Sequence, residues 1–377
     1  MGTRVGPYTT AIIFGVLLRD AREEWPGRNQ LMNALSEFTP VVLLQGAAPP
    51  YPLVDRREPH IEQVGERLFV MEDAFALRSH RLGRRAAWAA SALDGRWFRK
   101  ALSAAGLDDW VFWLTVNDRN LVRGIPSSRL VYDCMDPNFE PEKHRTFDRD
   151  EFRLARKARV VFASAESLYQ RMLGVNGQTY LLPNATTVRD AGNVTRQPGS
   201  GDSKDRKVVG YLGTIDWRFD AEHVLVAARK HPEATFAIVG RVNADQEEKV
   251  RALRTLPNVV LPGQVGREEG EQWVAEFDVG IIPFTPSLTN DAINPVKMYM
   301  YLAAGIPVVS TWVAECRSNP WVHAARDPES FSEEIGYALA DADVARAEER
   351  RAFARSNTWR HRAQSAIEVL TAHGLVC

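Results

Sequence analysis

Apolar runs of strand length alternate along this chain with stretches whose apolar residues recur every three or four positions. "TTAIIFGVLL" comes first, followed by the polar "RDAREEWPGRN", the amphipathic "QLMNALSEF" and a second apolar run, "VVLLQG". The alternation continues through "DDWVFWLTV", "SSRLVYDCM", "ARVVFASAESLYQRML" and "TYLLPNA". Runs buried on both faces and joined by helical segments predict parallel strands with crossover helices. After a break the pattern restarts with "KVVGYLGTID", a helix through "AEHVLVAARKH", "ATFAIVGRV", a helix, "NVVLPGQVG", a helix and "FDVGIIPF". A helix through "NPVKMYMYLAAG" then leads to "PVVST".

The break, residues 191–206, is rich in Gly, Ser, Asp and Lys and has no apolar period, so it reads as a linker. The expectation is α/β, with two Rossmann-like doubly wound domains: 1–190, then 207–345, with 346–377 as a C-terminal helix returning to the first. A length of 377 residues with 45% apolar content fits two ordinary cores.

Charge changes this picture little. The first 190 residues carry 26 Lys/Arg against 23 Asp/Glu, and the whole chain has a formal net charge of -1, so no broad basic surface points to nucleic acid. One region is locally basic: residues 78–100 hold seven Lys/Arg and one Asp, interleaved with Trp88, Trp97 and Phe98. It reads either as a solvated helix face or as a peripheral contact with anionic lipid or an acidic acceptor. Cys134, Cys316 and Cys377 are scattered and have no metal-ligand spacing, which suits free thiols in a reducing compartment. "AIIFGVLL" is too short to span a bilayer. A cytoplasmic protein, at most peripheral to the membrane, is expected.

In open α/β sheets ligands bind beyond the carboxyl ends of the strands, where helix N-termini offer unpaired N–H groups. "GYLGTIDWRFD" leaves a strand at Gly213-Thr214: glycine lets backbone approach a phosphate, Thr214 can donate a hydroxyl, and Arg218 brings charge. The turns around Arg241 and around Gly263, Gln264 and Val265 can place backbone groups beside a flat base, although tight turns need glycine for packing as well. In "NPVKMYMYLAAG", Asn294 suits an N-cap and Pro295 the first helical position. Lys297 then falls in the first turn, where a cation opposes the helix dipole by roughly 0.3 to 1 kcal/mol unless an anion neutralises both. A bound diphosphate would turn that penalty into an attraction.

With these motifs in this order, the chain resembles the GT-B-fold glycosyltransferases of the glycosyl transferases group 1 type, in the branch of bacterial polysaccharide clusters. "GYLGTIDWRFD", "LPNVVLPGQVG", "FDVGIIPF" and "NPVKMYMYLAAGIPVVST" carry the resemblance in the second half. "WPGRNQLMNALSE", "VYDCMD", "VVFASAESLYQRM" and "LLPNAT" carry it in the first. It implies two domains facing a cleft, with Gly213, Thr214 and Arg218 at the diphosphate of a nucleotide-sugar donor. Gly263, Gln264 and Val265 would lie by the base, with Arg241 nearby, and Asn294, Val296 and Lys297 at the diphosphate and ribose.

One departure stands out. Many relatives carry a Glu that binds the ribose hydroxyls where this chain has Met300, and the companion acidic position falls at Ala292. A thioether cannot accept hydrogen bonds as a carboxylate does, so Asp291 or Asn290 would have to take over, or the donor is held differently.

The resemblance implies sugar transfer from a UDP-sugar or GDP-sugar to a glycan or lipid-linked acceptor, with cations and a helix terminus stabilising the leaving diphosphate and no metal or other cofactor. Lys297 and Arg218 are the expected catalytic cations. Asp136, and after it Asp133, is a candidate base for an inverting reaction, although Asp136 also suits a cap of its Asp-Pro turn. Glu24 and Asp118 are further candidates. A non-catalytic descendant of the scaffold and a nucleotide-sugar epimerase are the alternative readings.

Overall fold

The computed structural model describes residues 10–18, 28–45, 60–72, 99–100, 102–115, 125–136, 144–186 and 206–376. Most of the basic region at 78–100, Glu24, Asp118 and all but the last residue of the expected linker lie outside them. The chain divides into two compact units, Met1–Asn184 with Trp359–Cys377, and Ala185–Thr358.

The first unit is built on an eight-stranded sheet: β1 (Ala11–Leu18), β2 (Val41–Gln45), β3 (His60–Gln63), β4 (Leu68–Glu72), β5 (Trp110–Leu114), β6 (Leu130–Cys134), β7 (Val160–Ala163) and β8 (Thr179–Leu181). The strand order is β3-β4-β2-β1-β5-β6-β7-β8, parallel except where β3 runs antiparallel to β4. Its helices are α1 (Arg28–Leu35), α2 (His144–Lys157), α3 (Glu166–Leu173) and, after the return from the second unit, α9 (Trp359–Ala372). β5, "WVFWL", is buried at every position, as an unbroken apolar run in a parallel sheet requires, and Trp113 stacks on Phe162 of β7 with centroids 4.9 Å apart.

Beneath this core lies a buried ion pair. Asp133 on β6 accepts from Arg28 Nη2 at 2.8 Å, from Arg28 Nε at 3.0 Å and from Trp113 Nε1 at 3.0 Å. Arg28 Nη2 also donates to the Leu182 carbonyl at 2.8 Å. Removing either partner would strand a buried charge, a loss of about 3–5 kcal/mol in comparable pairs.

The second unit is a six-stranded sheet made of β9 (Val208–Leu212), β10 (Thr235–Val239), β11 (Val259–Gly263), β12 (Val279–Ile282), β13 (Val308–Thr311) and β14 (Val322–Ala325). All neighbours pair in parallel, in the order β11-β10-β9-β12-β13-β14. The strand order reverses between β9 and β12, which opens a crevice at their carboxyl ends. The crossovers include α4 (Ala221–Lys230), α5 (Arg267–Glu276) and α6 (Val296–Ala304), while α7 (Pro328–Ala340) and α8 (Val344–Arg355) follow the last strand.

Three strands were not anticipated: β3 and β4 in the first unit and β14 in the second. β3 and β14 are four-residue edge strands, "HIEQ" and "VHAA", the first mostly polar and both too short to show a period. The unit boundary on the return also differs from expectation. α8 packs on α6 of the second unit, where Arg350 Nη1 donates to the Gly305 carbonyl at 3.1 Å and Arg351 Nη2 to that of Ala304 at 3.3 Å. Cations at this C-terminus answer the helix dipole. Only α9 joins the first unit, burying Trp359, Ala363, Ala366 and Leu370 along one stripe, with Arg360 Nε 2.8 Å from Glu37 Oε2.

Candidate active site

The carboxyl ends of β9, β10 and β11 are tied in a row. Gly213 N donates to the Val239 carbonyl at 2.9 Å, and Gly240 N to that of Gly263 at 2.9 Å. Gly240, at φ +143°, lies so close to the first turn that a Cβ there would sit 2.0 Å from the Gly213 oxygen. At Gly213 a Cβ would come within 2.8 Å of Lys297 Nζ. The glycine therefore leaves room for an ammonium rather than only for a turn.

Lys297 reaches this place from α6. Its Nζ lies 4.8 Å from the centre of the Tyr211 ring at the end of β9, and 5.1 Å from that of Phe284 just after β12. Aromatic faces attract a cation without neutralising it, and no carboxylate lies within ion-pair distance of Lys297 among the described residues. Burial, and then the charge of Arg218, pull its pKa down to about 8, against the opposing pull of Asp216 and Cys316. Tyr211 Oη donates to the Thr214 carbonyl at 2.9 Å, and Tyr301 Oη accepts from Leu212 N at 2.9 Å, so the cradle is held by hydrogen bonds from both sides.

The loop between β9 and α4 supplies the second cation. Arg218 Nε donates to both oxygens of Asp216, at 3.1 and 3.0 Å, and Nη2 closes a further contact with Oδ2. Burial alone would raise the Asp216 carboxyl, but the hydrogen bonds and charge of Arg218, aided by Lys297, bring it below the usual carboxylate value. Two cations and one carboxylate thus gather at the crevice between β9 and β12.

The remaining expected residues take varied places. Thr214, Arg241 and Gln264 are exposed on the turns at this edge, Gly263 is half-buried with φ +89°, and Val265 packs against the core. Val296 opens α6 and is half-buried. Asn294 does not cap that helix: Pro295 is the capping residue, without a side-chain cap, and Asn294 Nδ2 donates to Glu315 Oε2 at 2.7 Å. The helix begins one residue later than expected because this buried amide has a partner 21 residues downstream. Lys297 nonetheless remains in the first turn.

Met300 lies one turn beyond Lys297 and packs partly against the core. Of its expected substitutes, Asp291 accepts from Ala314 N at 2.8 Å and from Arg317 Nη1 at 3.2 Å, and the fully buried Asn290 donates to the Thr285 carbonyl at 2.6 Å. Both have structural employment in the loop before α6.

In the first unit Asp136 is exposed just after β6. Asp133, the second candidate base, is fully buried and committed to Arg28 and Trp113, which leaves it a structural role. Sequence reasoning missed Tyr211, Phe284 and Asp216. The aromatics looked like core residues, and only the Asp-x-Arg spacing in the loop signalled the pair. Among the described residues no three His, Cys, Asp or Glu side chains converge as metal ligands, and no helix is long and apolar enough to cross a membrane.

Residues 206–341 match the family model of glycosyl transferases group 1. A Bacillus subtilis (strain 168) protein described as a teichuronic acid biosynthesis glycosyltransferase, TuaH, is 26% identical over 216 residues, covering 53% of this chain and 54% of the relative. The chain thus spans about half the length of that relative. Among solved structures, the E. coli trehalose-6-phosphate structure bound with UDP-2-fluoro glucose superposes with a TM-score of 0.70 at 12% identity, covering 96% of this chain and 99% of the other. Sucrose-phosphate synthase from Thermosynechococcus elongatus gives 0.70 at 16%, covering 96% and 98%. The trehalose 6-phosphate synthase of Burkholderia multivorans gives 0.68 at 13%, covering 99% of each chain. These structures share the GT-B fold, as the order of motifs in the sequence had indicated.

Proposed function

We propose that this chain, a GT-B protein whose residues 206–341 form a glycosyl transferases group 1 domain, moves a sugar from a nucleoside diphosphate donor, a UDP-sugar first, to a glycan or lipid-linked acceptor. The observation that carries this reading is Lys297: an ammonium in the first turn of α6, cradled by Tyr211 and Phe284 and set against Gly213. Among the described residues neither the N-terminus of α6 nor Lys297 has an acidic side chain in ion-pair contact, and a helix N-terminus with such a cation complements a diphosphate.

Breaking the anomeric carbon–oxygen bond leaves charge on the departing diphosphate, and preset cations stabilise that charge without rearranging. Lys297 and Arg218 take this role, so no metal is needed in the reaction. The turns at Gly240 and Gly263 hold the base by backbone contacts, and Asp136 in the first unit is the candidate to accept the acceptor's proton if the reaction inverts. UDP as donor nucleotide is supported by the nucleotide sugar bound in the E. coli neighbour, and a polysaccharide acceptor by the description of TuaH. Contact with a membrane through residues 78–100 belongs to the same reading.

The test is release of UDP from a panel of UDP-sugars with cell-envelope acceptor in the presence of EDTA. Transfer that survives the chelator and is lost in Lys297→Ala, with circular dichroism unchanged, supports the reading, whereas undiminished turnover in the variant removes Lys297 from the mechanism.

One observation favours a second reading. Met300 places a thioether beside Lys297 where a ribose would need an acceptor, and this suits a scaffold that has lost catalysis. Such a protein would bind no nucleoside diphosphate.

A further inference from the structure

Asp216 is only 8% exposed; it is bonded to Arg218, and the charges of Arg218 and Lys297 both favour its ionised form. The local sequence explains how it gets there. In "TIDWRFD" the chain turns back after β9: Phe219 N donates to the Asp216 carbonyl at 3.0 Å, and Arg218 N to Asp216 Oδ1 at 3.0 Å. An aspartate that bonds a backbone amide two residues ahead fixes the turn. Arg218 is pinned from the other side as well, because its carbonyl accepts from Thr285 N at 2.7 Å in the loop that leads to α6. Both the main chain of Arg218 and the Nε–Nη2 edge of its guanidinium are therefore set before any ligand arrives.

A guanidinium gripped along one edge turns its remaining donors away from the gripping carboxylate, and a planar fork held this way keeps its geometry for a second anion. Electrostatics adds a second task. Arg218 and Lys297 repel one another, and burial disfavours the ammonium further, so a half-buried pair of like charges is poorly tolerated by itself. Besides the Phe284 ring, four titratable or charged groups face Lys297 among the described residues: Arg218, Asp216, the Cys316 thiol, which burial pushes up to about 12, and Tyr211, whose hydroxyl burial also pushes up. Among them Asp216 is the carboxylate.

We propose that Asp216 is a positioning residue that holds Arg218 by one guanidinium edge and offsets the repulsion between Arg218 and Lys297, so that the two cations meet the donor diphosphate as one preset clamp. This deepens the donor reading given above and rests on it. Asp216 itself touches neither the diphosphate nor the reacting carbon. Its effect reaches the ligand through Arg218 and through the charge of Lys297.

The experiment is calorimetric titration with UDP, or GDP if that is the nucleotide bound, from about pH 7 to about pH 9.5. It compares the wild type, Asp216→Asn and Asp216→Glu. The wild type is expected to lose affinity as the Lys297 ammonium deprotonates. Asp216→Asn keeps the size of the side chain and removes its charge, so affinity at neutral pH falls at least tenfold and the midpoint of the alkaline loss moves to lower pH. Asp216→Glu restores the charge, and its midpoint returns toward that of the wild type even though the longer side chain grips Arg218 less well.

A residue that merely shaped the loop would weaken binding without moving the midpoint, and that result overturns the proposal. Equal or tighter binding by Asp216→Asn overturns it too, since the carboxylate would then be a competitor of the ligand. A wild type that binds neither nucleotide overturns the donor reading along with it. Firm wild-type binding that is indifferent to Asp216→Asn sinks this proposal alone.

Discussion

Lys297 stands where two effects disfavour its charge: the positive end of α6 and burial beside Arg218. Its pKa near 8 lies below the unfolded value, so between about pH 8 and about pH 10.4 the unfolded chain binds more protons. Stability therefore rises with pH through that window, and at neutral pH the charged lysine destabilises the fold. Lys297→Met should raise stability by about 1 kcal/mol, in the manner of substitutions that trade function for stability, and should remove nucleotide binding. Urea unfolding at pH 7 checks this, and a clear loss of stability in the variant would show that the ammonium is better accommodated than argued. At this scale the sequence disclosed the cation, because a lysine just after Asn-Pro can be read as first-turn without a structure. The partner of Asn294 and the aromatic cradle could not be read, since Glu315 and Tyr211 become neighbours only when α6 docks on the sheet.

Most strands were legible in proportion to their burial, although β4, with Phe69, Val70 and Met71 buried, was passed over. The central strands β1, β2, β5, β9, β10, β12 and β13 announce themselves as apolar runs, whereas the edge strands β3 and β14 are short and carry polar residues that no pattern separates from loop. The carboxyl-end turns that build the site were legible through their glycines, though the reason for one was not. Gly213 serves the helix opposite it, as the space for the lysine of α6. Gly213→Ala should leave the strand order intact, cost about 1–3 kcal/mol of stability because a φ of +154° strains an L side chain, and weaken nucleotide binding by pushing the ammonium aside, since its Cβ would lie 2.8 Å from Nζ. Affinity equal to that of the wild type would mean that Lys297 has another route to the ligand. The opposite end of α6 shows the converse logic, with Arg350 and Arg351 on its last carbonyls, where cations suit the dipole.

For the whole molecule, strand-helix alternation and motif order were enough to read two parallel-sheet domains and the GT-B fold, and composition served mainly to set nucleic acid aside. The change of unit near the C-terminus was less legible. α8 is polar over most of its length and α9 carries a buried apolar stripe, but only packing assigns the first to the second unit and the other to the first. The central claim is that the crevice between β9 and β12 is a diphosphate site whose decisive charge comes from α6. The most direct measurement is calorimetric binding of UDP and of GDP, without metal, to the wild type and to Lys297→Ala. The account predicts micromolar binding of one nucleotide, weakened at least tenfold in the variant, which corresponds to about 1.4 kcal/mol. Binding that Lys297→Ala leaves unchanged, or no binding of either nucleotide to the wild type, would contradict it.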